Sequence, residues 1–121
     1  MNNSPLNKQV PYFIAEISAN HCGNLSLAKK LIRCAKINGA NAVKLQTYSP
    51  ETMTIKSQKK YFKIKKGLWK DHTLWDLYNK AQTPLEWHKE LFELAKKIGI
   101  TIFSTPFDES AVEFLEALNC P

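Results

Sequence analysis

The chain has 121 residues, a formal net charge of +6 and a pI near 9.3. Its apolar content of 44% and charged content of 23% are those of a globular protein with enough chain for a core, and no apolar run is long enough to span a bilayer. Cys22, Cys34 and Cys120 fit neither a disulfide framework nor a zinc knuckle. Met1-Asn2-Asn3-Ser4-Pro5 lacks the basic and apolar parts of a signal peptide, so the expected setting is a reducing cytoplasm with no membrane partner.

Residues 1–11 are polar, carry two prolines and read as a lead-in. Tyr12 to Ser18 is expected as a first strand, followed by a loop holding Asn20, His21 and Gly23. A helix is expected from Ser26 as N-cap. Its apolar stripe is Leu27, Leu31, Cys34 and Ala35, flanked by Ala28 and Ile32, and Asn38-Gly39 ends it. A second strand, Ala42 to Gln46, follows at once. Strand, loop, helix, glycine and strand make a βαβ unit with parallel strands and a right-handed crossover.

Residues 48–72 form a long irregular stretch. Lys56, Lys59, Lys60, Lys63, Lys65 and Lys66 lie there, interleaved with Tyr61, Phe62, Ile64, Leu68 and Trp69. Two readings stand: a solvated loop, or a basic aromatic surface for nucleic acid. The alternation around Phe62 and Ile64 also permits a short exposed strand.

Leu74 to Tyr78 is expected as a short helix. Thr83-Pro84-Leu85-Glu86 starts a longer one, with Thr83 as cap, Pro84 at the first helical position and Glu86 closing a capping box. That helix carries Trp87, Leu91, Leu94, Ala95 and Ile98 inward and stops at Gly99. Ile100 to Phe103 is the third strand, ending in Ser104-Thr105-Pro106-Phe107-Asp108. Asp108 caps a last helix with Ala111, Val112, Phe114, Leu115 and Leu118 as its stripe. The repeating βα order is shared by doubly wound sheets and by TIM (β/α)8 barrels, and a whole barrel takes about 250 residues. The expected fold is therefore α/β, a partial TIM barrel holding its first three βα units only.

In a barrel the chemistry lies at the C-terminal strand ends. These supply Glu16, Ser18, Asn20 and His21, then Lys44, Gln46 and Thr47, then Ser104, Thr105 and Asp108. Glu16 and Lys44 interrupt apolar strands, so each needs a partner. Glu16 paired with Lys44 serves structure and also orients both groups for catalysis. His21 reads as a general acid, a metal ligand or a loop histidine, and His21-Cys22 is a poor metal pair. Ser104 and Thr105 before a helix start suit a phosphate or a plain N-cap motif.

Three stretches carry a resemblance. Phe13-Ile14-Ala15-Glu16-Ile17-Ser18-Ala19-Asn20-His21-Cys22-Gly23, Asn41-Ala42-Val43-Lys44-Leu45-Gln46-Thr47 and Phe103-Ser104-Thr105-Pro106-Phe107-Asp108 resemble, in order, the first three strand motifs of the sialic acid synthase family. Leu68-Trp69, Thr73 to Tyr78 and Thr83 to His88 look like that family's pseudaminic acid branch. The resemblance implies condensation of phosphoenolpyruvate with an acetamido sugar, 2,4-diacetamido-2,4,6-trideoxy-altrose, to a nonulosonic acid with release of phosphate. It implies a divalent cation, manganese, whose histidine ligands belong to later strands outside this chain. It also implies a homodimer and a small C-terminal antifreeze-like domain that this chain lacks. By motif position, Glu16 and Lys44 resemble catalytic residues; Lys44, Thr105 and Ser104 resemble phosphoenolpyruvate contacts; and Gln46, Trp69, Asn20 and His21 resemble sugar contacts. Trp69 stands where synthases acting on N-acetylmannosamine carry an asparagine. That departure disfavours N-acetylmannosamine, although a sialic acid synthase remains the alternative of the same chemistry. Cys22 departs from a usual asparagine. The chain alone is expected to be an inactive N-terminal fragment.

Overall fold

The computed structural model describes residues 10–121; residues 1–9 of the lead-in expected over 1–11, and with them the N-terminal stretch without a signal, lie outside the described residues. Three parallel strands, β1 (Ile14–Glu16), β2 (Ala42–Thr47) and β3 (Thr101–Pro106), form one sheet in the order β1-β2-β3. Helices α1 (Leu25–Ile37) and α4 (Leu85–Ile98) follow β1 and precede β3, and α5 (Glu109–Ala117) ends the described fold. Between β2 and α4 lie α2 (Pro50–Met53), a 3₁₀ turn (Lys60–Phe62) and α3 (Leu74–Ala81).

The sheet is covered on one face. Val43, Leu45 and Ile102 point to that face and pack with Ala28 and Ile32 of α1 and Leu91 and Ala95 of α4. On the other face Ile14 is 49% exposed. Strand β1 is shorter than the expected Tyr12–Ser18: its ladder with β2 covers only Ile14 to Glu16, and the chain turns away at Ser18, which has a left-handed backbone. Strand β3 is longer than expected: its ladder with β2 continues to Thr47 opposite Pro106.

Several helix details differ from the sequence reading. Asn24, not Ser26, caps α1, its Oδ1 accepting the Leu27 amide. The stripe of α1 is rotated, so that Ala28 and Ile32 are fully buried while Cys34 is exposed. The end of α1 is as expected: Gly39 sits at φ +84°, and its amide donates to the Lys36 carbonyl. Asp108 caps α5 by accepting from the Ala111 amide and the Ser110 hydroxyl, which hold its carboxyl below the usual range. Val112 lies outside the buried stripe of α5.

The long segment after β2 is less irregular than expected. Thr73 caps α3 in a reciprocal capping box with Asp76. The short exposed strand suggested by Phe62 and Ile64 does not form: Phe62 lies in the 3₁₀ turn, and the segment holds only an isolated antiparallel bridge between Lys63 and Thr73, with the Ile64 amide donating to the His72 carbonyl.

The start of α4 is the largest local correction. Thr83 is not its cap and no capping box forms; Pro84 is the N-cap and offers no side-chain bond. The Thr83 hydroxyl turns inward to His21 Nε2 at 3.2 Å. His21 is fully buried, edge-on to Trp87, and its Nδ1 accepts the Gly23 amide. That bond requires an unprotonated Nδ1, so Nε2–H is the donor to Thr83. Buried His88 has the opposite tautomer. Its Nδ1–H donates to the Pro84 carbonyl, and its Nε2 faces the Thr47 hydroxyl at 2.8 Å.

Two outcomes test this packing. Ile32→Ala should cost about 2–5 kcal/mol and Cys34→Ala less than about 0.5 kcal/mol in urea denaturation, because only Ile32 leaves a cavity. Burial pushes the pKa of both His21 and His88 below 6.5. Below that pH the unfolded chain binds protons that the folded rings refuse. Stability should therefore be level above 6.5 with respect to these groups and fall as pH drops below it. Changing His21 and His88 to glutamine should flatten that dependence; an unchanged slope would remove the two rings as its source.

Candidate active site at the strand ends

Parallel pairing aligns residues of adjacent strands on the same face. Glu16 lies opposite Lys44, and Lys44 opposite Phe103. One row further toward the C-terminal ends, Gln46 lies opposite Thr105. The open face thus presents Glu16, Lys44 and Phe103 in one row, with Gln46 and Thr105 in the next.

Lys44 Nζ and Glu16 Oε2 are 2.7 Å apart, with the two side chains 30% and 41% exposed. An ion pair this open contributes at most about 1 kcal/mol to stability. It does fix orientation: the second carboxylate oxygen of Glu16 accepts the Ser18 amide at 3.1 Å. Ser18 holds a left-handed backbone conformation, φ +42°, and its hydroxyl donates to Gln46 Oε1 at 2.9 Å. The Gln46 carbonyl is thereby engaged, leaving its amide NH2 as a donor. Glu16, Ser18, Lys44 and Gln46 form one connected polar set, with Thr105 beside Gln46.

Not all the expected site residues join this set. Ser104 alternates with Thr105 and is buried on the helix face, where it bonds to Thr47 Oγ1 at 2.6 Å. Thr47 is likewise fully buried there. Neither is presented on the open face, because a strand sends successive side chains to opposite faces. His21 is also withdrawn, with both ring nitrogens engaged. Asn20 is exposed in the loop after β1. Trp69 is half-buried in the segment before α3; its described contacts are an edge-on approach to His72 and the Lys80 ammonium at 6.0 Å. Two lysines of the basic segment cover aromatic rings of this chain, Lys56 over Trp75 and Lys60 over Tyr61.

Sequence reasoning did not single out His88 as a buried polar group. Its signal was position: His88 falls on the inward side of α4, three residues before Leu91. Ser18 was visible only as one of several strand-end residues, because its bridging role depends on the turn after β1.

Among the described residues no group of three or more His, Cys, Asp or Glu side chains converges as a metal site. Among the described residues no helix is long and apolar enough to cross a membrane. A cleft of about 530 Å³ lies between α4, β3 and α5, lined by Phe92, Ile100, Ile102 and Leu118. It opens beside the start of β3, at the other end of the strand from Thr105.

The chain is similar to several known proteins. Pseudaminic acid synthase of Helicobacter pylori is 53% identical over 113 residues, which is 93% of this chain and 33% of that protein. N,N'-diacetyllegionaminic acid synthase of Legionella pneumophila is 38% identical over 89% of this chain and 30% of its own length. The crystal structure of an N-acetylneuraminic acid synthetase from Leptospira borgpetersenii superposes with a TM-score of 0.71 and 28% identity, covering 90% of this chain and 33% of that one. The chain thus spans about a third of the length of the relatives it matches. The expected α/β architecture, with a parallel sheet forming part of a barrel, agrees with that structural match. The NeuB family model matches residues 31–121, and the chain belongs to the NeuB family.

Proposed function

We propose that this chain is the N-terminal part of a pseudaminic acid synthase. The whole protein would condense phosphoenolpyruvate with 2,4-diacetamido-2,4,6-trideoxy-altrose, releasing phosphate and forming a nonulosonic acid. The observation that carries the reading is the Glu16–Lys44 pair on the open face, one row below Gln46 and Thr105. The higher identity to a pseudaminic acid synthase than to a legionaminic acid synthase supports the choice of sugar.

In this proposal Lys44 supplies a fixed positive charge for the anionic groups of phosphoenolpyruvate. Thr105 adds a hydroxyl donor in the adjacent row. Such preoriented donors lower the barrier by stabilising charge where it develops. Glu16, held by Lys44 and the Ser18 amide, lies beside the condensing carbons. Gln46, steadied by Ser18, turns its amide toward the sugar, with Asn20 and Trp69 at the periphery. Ser104 and His21 support the strand and loop from behind and are removed from the expected contacts.

The remaining barrel units, a divalent cation (manganese) with its ligands, and an antifreeze-like domain would lie in the rest of the protein. A cytoplasmic homodimer completes the proposal. Exposed Ile14, on the same face as Glu16 and Lys44, favours further strands covering it. A sialic acid synthase using N-acetylmannosamine is the second reading, supported by the structural likeness to an N-acetylneuraminic acid synthetase.

Three expected outcomes follow from the proposal. The longer protein containing this chain should release phosphate from phosphoenolpyruvate with the trideoxy sugar and not with N-acetylmannosamine; the reverse preference would move it to the second reading. In the same protein Lys44→Ala should lower kcat/KM for phosphoenolpyruvate at least about a hundredfold, on the scale of losing one oriented charge-stabilising donor. An unchanged phosphoenolpyruvate dependence would take Lys44 out of the site. Residues 1–121 alone should release no phosphate from the same mixture, and turnover by that chain would contradict its assignment as a part.

A further inference from the structure

A line of buried hydrogen bonds joins three elements behind the open face. His88 on α4 is fully buried, and its Nδ1–H is committed to the Pro84 carbonyl at 3.1 Å. Its Nε2 is therefore an acceptor, and the Thr47 hydroxyl at 2.8 Å must be the donor. With that proton used, Thr47 Oγ1 accepts from the Ser104 hydroxyl at 2.6 Å. Every proton in the line has one place. The order is Ser104 to Thr47 to His88 to the Pro84 carbonyl, crossing from β3 through β2 to α4.

Thr47 and Ser104 are chain neighbours of Gln46 and Thr105, which lie on the opposite face. Phe114 of α5 meets the His88 ring edge-on at 5.3 Å and confines it from another side. The ends of β2 and β3 are where the ladder runs out, so fewer backbone bonds hold them. We propose that His88 is a positioning residue: by fixing Thr47 and Ser104 on the helix face, it sets the placement of Gln46 and Thr105 on the open face. This inference rests on the proposed synthase reading for its activity test, although not for its structural one.

The imidazole can be replaced one nitrogen at a time. In His88→Asn the side-chain amide reaches the place of Nδ1 and can still donate to the Pro84 carbonyl, but nothing receives the Thr47 proton. In His88→Gln the side-chain carbonyl reaches the place of Nε2 and can accept from Thr47. Both variants lose the ring and its contact with Phe114, so both lose some stability. Positioning depends only on the Thr47 link.

The experiment uses the longer protein containing this chain, with phosphoenolpyruvate and the trideoxy sugar, and activity normalised to the folded fraction. His88→Asn should lose about tenfold to a hundredfold in kcat/KM, the scale on which misplacement of about 1 Å acts. His88→Gln should recover to within about threefold of the parent. Crystal structures of the two variants give a readout that needs no turnover. Gln46 and Thr105 should be displaced in His88→Asn and restored in His88→Gln. If the parent protein releases no phosphate, the synthase reading fails while the crystallographic comparison still decides the role of His88. Equal activity and unmoved Gln46 and Thr105 in both variants would overturn the proposal. So would equal loss in both, since that pattern belongs to a ring needed only for packing.

Discussion

The parallel register of β2 with its two neighbours is the constraint on which the rest depends. It sets Glu16 beside Lys44 and Gln46 beside Thr105. The same alternation sends Val43, Leu45 and Ile102 into the core against α1 and α4. A slip of one residue in β2 would exchange these sets, burying an ammonium and exposing the core. Burial of Val43 and Leu45 thus holds Lys44 on the open face. The ion pair itself adds little stability, so its value lies in orientation.

Polar residues on the covered face do a different job. Ser104, Thr47, His88, Thr83 and His21 are all buried, and each is hydrogen-bonded. They tie the loop after β1 and the ends of β2 and β3 to the first turns of α4. An unsatisfied buried polar group costs about 1–3 kcal/mol, so such a set is stable only when its partners are in place. The N-terminal part of α4 is therefore both a packing element and the anchor of the strand ends.

Much of this was legible in the sequence because periodicity and punctuation agree. Glycine after α1 and α4, the Asp108 cap and the three short apolar runs locate the βα order without ambiguity. Glu16 and Lys44 stood out because a charge inside an apolar run demands a partner. The misplaced residues share a cause. Ser104 and Thr105 have the same chemistry, and only the strand's phase separates the one that faces the core from the one that faces the mouth. Thr83 matched a helix-cap pattern, but a buried histidine from a distant loop drew its hydroxyl inward. His21 looked like a site residue because it follows a strand end, and its burial depends on Trp87 more than sixty residues later. Each of these outcomes is set by tertiary contact, which local pattern does not contain.

The most direct test of the account is a crystal structure of the longer protein containing this chain, with phosphoenolpyruvate bound. The account predicts an anionic group of the ligand within hydrogen-bonding distance of Lys44 Nζ, and another polar atom within reach of the Thr105 hydroxyl, on the open face of the sheet. Phosphoenolpyruvate bound elsewhere, with the Glu16–Lys44 pair untouched, would contradict it.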